Sequence, residues 1–160
     1  MISLNPKNLR EFNRHLFTEN TFDGFLVPEA HFLTAFRTDI DGQPEASHGS
    51  DGDTASASVS ACVSWGSLRK IALELVRGTE APKSFSIVMK LPPESLNSVL
   101  LSADAPDPEE VSGLYLNIRY AREELSVTTG CSLKTFSLDK TWEKAWDRKA
   151  EDFLAHKGLI

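Results

Sequence analysis

The residues of this chain able to do chemistry are few and scattered. Cys131 follows Gly130 in a stretch that reads as a turn, and a thiol there becomes a nucleophile only if a base lies beside it. Spacing nominates no such base, and a cysteine so placed is more often a small core or turn residue. The four histidines, His15, His31, His48 and His156, stand at no ligand spacing with a cysteine or with one another, so surface histidines are expected. Asp39, Asp41, Asp51 and Asp53 gather carboxylates around a loop rich in glycine, serine and alanine. Asp51-Gly52-Asp53 resembles the opening of a calcium loop but lacks the spacing and the closing glutamate, so a solvated loop is expected, with no metal and no cofactor. Glycine-rich phosphate loops, GxSxG, HExxH and paired catalytic carboxylates do not occur. The reading leans away from an enzyme. An unrecognised catalyst would have to use Cys131 or the aspartate-rich loop.

Two further sets concern binding. Lys7, Arg10 and Arg14 recur at i, i+3 and i+7 on one helix face. Such a stripe is usually a solvated surface; its functional reading is contact with the phosphates of a nucleic acid, built up by an oligomer. Trp142 and Trp146 lie one helical turn apart. They are expected to cover a sheet face. The alternative is an aromatic anchor for a partner or a second copy of the chain, since tryptophan is enriched at interface hot spots.

Bulk properties narrow the classes. A chain of 160 residues suits one domain with a proper core. A net charge of −6 argues against generic binding to nucleic acid or anionic membranes. The two cysteines, Cys62 and Cys131, form no CxxC pair, which favours a reduced compartment and leaves one disulfide open. Lys7, Arg10, Glu11, Arg14 and Glu19 interrupt any signal-peptide core, and no apolar run approaches membrane-spanning length. A cytoplasmic protein without membrane contact is expected.

The elements that must position these residues follow from periodicity. Met1–Leu4 suits an edge strand. Asn5-Pro6 suits a cap and first position for a helix to about Phe17, with Leu9, Phe12 and Leu16 inward. Phe25-Leu26-Val27 is strand-like up to Pro28. Phe32, Thr34, Phe36, Thr38 and Ile40 alternate as one further strand, ended by Asp41-Gly42. Residues 41–62 form a mobile surface loop with few apolar groups to bury. Ile71, Leu73 and Leu75 alternate as a strand, although Leu68, Ala72, Leu75 and Val76 also fit a helix; the strand is chosen to pair with Phe85–Leu91. Pro92-Pro93-Glu94 opens a helix with Leu96, Val99 and Leu100 inward. Leu114–Tyr120, Leu125–Thr129 and Lys134–Leu138 make a three-strand meander, with a hairpin tip at Arg122–Glu124 and a break at Gly130. A last helix over 139–158 is capped by Asp139 and stopped by Gly158.

The resulting order resembles one domain of a DNA sliding clamp. The parallels are Ile2–Phe17 as strand and helix, Phe85–Leu101 as strand and helix, and Tyr115–Leu138 as the final meander. The chain also resembles a family of uncharacterised small proteins from clostridial bacteria. Phe22-Asp23-Gly24-Phe25-Leu26, Glu29-Ala30, Asp39-Ile40-Asp41-Gly42, Ser84–Leu91 and Gly113–Trp146 carry that likeness. Together they imply a single α+β domain: a curved antiparallel sheet with three helices, DNA-clamp-like, and a C-terminal helix beyond the clamp pattern. The function they suggest is a non-catalytic binding or scaffold module, its partner unidentified.

Overall fold

The computed structural model describes residues 1–43, 62–78, 80–100, 110–134 and 140–160. One antiparallel sheet of six strands lies under four helices. In chain order the elements are β1 (Ser3–Leu4), α1 (Leu9–Phe17), β2 (Leu26–Leu33), β3 (Arg37–Asp41), α2 (Trp65–Val76), β4 (Ser84–Lys90), α3 (Pro93–Leu100), β5 (Val111–Ala121), β6 (Glu124–Leu133) and α4 (Thr141–His156). The strands run in the order β1-β6-β5-β4-β2-β3, so β1 and β3 are the edges. The protein is a single α+β domain, with four helices among the described residues where three were expected.

The additional helix is α2. Its residues satisfy both a two-residue and a helical period, and the local cap decides between them. Ser64 has extended backbone and its hydroxyl accepts from the Ser67 amide at 3.3 Å, which starts a helix. Trp65 and Ala72 then point into the core while Ile71 stays exposed. The β4 strand needs no partner from this segment, since β2 and β5 flank it on both sides.

Three other expectations change for identifiable reasons. Phe32–Ile40 is a hairpin rather than one strand: it folds at Thr34–Phe36, where the Thr34 amide donates to the Phe36 carbonyl at 2.9 Å. Each residue meets one of its own parity, Phe32 facing Thr38 and Ala30 facing Ile40, so alternation alone cannot reveal the fold-back. Pro28 sits within β2, at a bulge between Leu26 and Glu29, where a missing amide is tolerated. The first helix begins three residues later than expected, because the Asn8 side chain accepts from the amides of Arg10 and Glu11.

Strand β6 runs unbroken through Gly130 to Leu133. A Cβ at Gly130 would lie 3.3 Å from the Asn117 amide nitrogen and 3.7 Å from Tyr115 Cβ, so this glycine relieves cross-strand crowding rather than making a turn. The β5–β6 tip is a two-residue turn in which Arg122 and Glu123 both have positive φ. The expected third meander strand and the Asp39-to-Asp53 loop extend outside the described residues, as do Asp139, Asp51, Asp53 and His48. Described α4 starts after Lys140, which makes no side-chain cap bond.

One core joins these parts. Phe85, Ile87 and Met89 of β4, Leu114, Leu116 and Ile118 of β5, and Leu125 and Val127 of β6 face the helices. Phe17 of α1 stands edge-on to Phe85 and tilts against Trp65 of α2. The Trp65 indole donates to the Leu16 carbonyl at 2.8 Å, so a fully buried donor is satisfied. α4 ends in a Schellman motif: Gly158, at φ 71°, donates to Ala155, and Leu159 donates to Leu154. Gly42 is the tightest point. A Cβ there would fall 1.6 Å from the Val27 carbonyl oxygen.

Candidate functional site

The basic stripe of α1 is spread among carboxylates. Arg14 pairs with Glu11 and, at 3.0 Å, with Glu19. The Arg14 guanidinium holds the Glu11 carboxyl below its usual range. The Lys7 ammonium donates to the Ile160 carbonyl at 2.6 Å. Arg10 is exposed. Among the described residues only the Arg10 side chain of the three has no bonded oxygen, which is little for holding a phosphate backbone.

Trp142 and Trp146 are both buried under α4, as a core role requires. Trp146 donates its indole N–H to the Tyr115 carbonyl at 3.2 Å. Cys62 and Cys131 are both free thiols. Burial, and then the Glu143 carboxylate, push the Cys131 thiol up to about 11. At neutral pH this thiol is protonated and a poor nucleophile. Among the described residues no group of three or more histidine, cysteine or carboxylate side chains could hold a metal ion. No described helix is long and apolar enough to cross a membrane.

Among the concave regions formed by the described residues, two on opposite faces of the sheet combine apolar walls with placed polar groups. The first is a cavity of about 290 Å³ in the helical layer, between α3, α4 and the connector ahead of β2. Phe25, Leu91, Val99, Trp146 and Phe153 form its walls. Lys149, Ser95 and Ser98 stand at its mouth. Trp146 therefore serves both core and cavity, a double role that helical spacing could suggest but not locate.

The second lies on the face that carries polar side chains. Strand pairing lays out a row across it: Asp39 of β3, His31 of β2, Ser86 of β4, Arg119 of β5 and Ser126 of β6. The neighbouring row is Arg37, Leu33, Ser84, Ala121 and Glu124. His31 Nδ1 lies 2.8 Å from Asp39 Oδ1, and Arg37 Nε lies 3.0 Å from both oxygens of that carboxylate. These two hydrogen bonds, His31 first, lower the Asp39 pKa. A groove of about 430 Å³ runs between His31, Arg37, Ser84, Ser86 and Arg119. Sequence reasoning named Asp39 only as a loop carboxylate and left His31 as a surface residue. It missed Arg37, Ser84, Ser86 and Arg119 altogether, since they meet only through strand register.

Comparison with known proteins gives one match. A family model described as a family of unknown function (DUF5721) matches residues 15–160, and the chain belongs to that family. No curated protein matches the chain, and no solved structure does. The likenesses to a sliding clamp and to clostridial proteins thus rest on element order and the quoted segments. The clamp order has in addition lost one strand to α2.

Proposed function

We propose, for this member of a family of unknown function, a non-catalytic binding module of the cytoplasm whose ligand site is the cavity between α3 and α4. The observation that carries the reading is an apolar hollow left open beneath a well-packed helical layer, with a polar mouth. Small-molecule sites combine apolar walls with a few placed polar groups in this way. Trp146 and Phe153 suit a flat apolar body, and the Lys149 ammonium suits an acid head group. Two free thiols agree with a reducing compartment. The raised pKa of Cys131 counts against thiol catalysis.

A ligand of about a dozen heavy atoms, at roughly 0.3–0.4 kcal/mol per atom, would gain about 4–5 kcal/mol, a dissociation constant between about 0.2 and 1 mM. The test is an NMR titration with small aromatic acids. Saturable shifts are expected at Val99, Ala150 and Phe153, and Ser98→Trp, which fills the mouth from an exposed position, should abolish them. Shifts that never saturate, or that survive Ser98→Trp, would sink the proposal.

A further inference from the structure

The groove on the polar face of the sheet is independent of that cavity and has its own chemistry. Arg119 is exposed and has no ion-pair partner among the described residues. Arg37 lines the groove and binds Asp39 through its Nε, and its two terminal nitrogens have no bonded oxygen among the described residues. In the strand order, β3 and β5 are three spacings apart, about 14 Å. Two long arginine side chains reaching inward across that width can close on one oxyanion. Ser84 and Ser86 lie between them on β4 and add hydroxyl donors to the same floor.

The charge balance favours an anion. The described lining of the groove holds two guanidinium groups and no carboxylate, and Asp39 beside it is already bound by Arg37 and His31. Arg119 adds a positive charge to that lining, and Glu124 stands in the next row, opposite Ala121. Glu29 lies beyond His31, with 3.9 Å between its oxygen and His31 Nε2. The donor set exceeds what a carboxylate can use: two guanidinium forks and two hydroxyls match the several acceptor oxygens of a phosphate. Leu33, 41% exposed, and Ala121 form an apolar end to the groove. We propose that this groove binds a phosphate monoester carrying a small apolar body, held by Arg37 and Arg119 with Ser84 and Ser86 beneath it.

The experiment is an amide-detected NMR titration of the whole chain at constant ionic strength, with phenyl phosphate, inorganic phosphate and phenylacetate. Phenyl phosphate should give saturable shifts centred on Ser84, Ser86 and Arg119, with inorganic phosphate weaker and phenylacetate weaker still. Arg119→Ala should weaken phenyl phosphate about ten-fold or more. Arg119→Lys should recover part of that loss, and Arg10→Ala, which removes an exposed cation elsewhere, should change nothing. Thermal unfolding of each variant establishes that it is folded. Shifts without saturation, equal losses in Arg119→Ala and Arg10→Ala, or phenylacetate binding as tightly as phenyl phosphate would each overturn the assignment.

Discussion

The Cys131 thiol provides the sharpest test of a non-catalytic reading. Its pKa stands at about 11 against an ordinary 9.0, raised first by burial and then by the charge and hydrogen bond of Glu143. At pH 8 an ordinary thiol of that reference pKa is about 10% thiolate and Cys131 about 0.1%, a hundred-fold deficit. A more basic thiolate is also a better nucleophile. With a Brønsted coefficient of about 0.4–0.5, two pKa units return roughly six- to ten-fold. The net expectation is that Cys131 attacks an aromatic disulfide reagent about ten-fold or more slowly than an ordinary thiol of that reference pKa. The assay uses Cys62→Ser, so that Cys131 is the only thiol, and follows the rate from pH 7 to pH 10. The rate should climb about ten-fold per pH unit with no plateau near 9, and Glu143→Gln should bring the inflection down. The sign for stability is also fixed. A folded-state pKa above the unfolded value favours folding below pH 9, and that contribution is lost as pH rises from 9 through 11. A Cys131 that reacts faster than an ordinary thiol, or levels off below pH 8, would refute the reasoning and restore the cysteine as a candidate nucleophile.

Two further outcomes follow from single contacts. Gly42→Ala must displace backbone, because the new Cβ would lie 1.6 Å from the Val27 oxygen. Three hydrogen bonds meet there, Gly42 to Pro28, Val63 to Gly42 and Val27 to Val63, so their loss should cost roughly 1.5–4.5 kcal/mol in urea unfolding. A change below about 1 kcal/mol would mean that the chain does not pass so close. Arg69 grips Asp23 through two nitrogens at 2.8 and 3.0 Å and donates to the Thr18 carbonyl at 2.7 Å, which ties α2 to the segment after α1. With both side chains partly exposed, a double-mutant cycle with Arg69→Ala and Asp23→Ala should give a coupling of about 1–2 kcal/mol, and a value near zero would contradict the bidentate geometry.

Much of the fold is legible in the sequence wherever one period stands alone. Leu114, Leu116 and Ile118 fit only a strand, and all are buried. Trp142, Trp146, Ala150 and Leu154 fit only a helix, and Gly158 ends it as a Schellman glycine should. Misreading begins where two periods coexist. Residues 68–76 satisfy both patterns, and the decisive mark is the small Ser64 cap rather than any apolar side chain. Gly130 illustrates a second limit. A strand glycine can mean a turn or a crowded neighbour, and only the facing Tyr115 and Asn117 tell which.

The candidate groove was harder to read because its parts come from four strands. The hairpin holding Arg37, His31 and Asp39 was within reach: a fold at Thr34–Phe36 pairs odd residues with odd ones and puts His31 beside Asp39 at once. The remaining half needs β4 and β5. Burying Ile87 and Met89 on the same face as Leu116 and Ile118 forces even residues of β4 to meet odd residues of β5. Parity therefore places Ser84 and Ser86 beside some members of the set Asn117, Arg119 and Ala121, without saying which. Only the register does so, by setting Ile87 against Ile118 and thereby Ser86 against Arg119. A slip of two residues would keep every apolar contact on the correct face and yet put Asn117 or Ala121 where the second guanidinium now stands. The core would tolerate that change far better than an oxyanion would, which is why composition and alternation, both read from burial, leave the ligand chemistry of this face unseen.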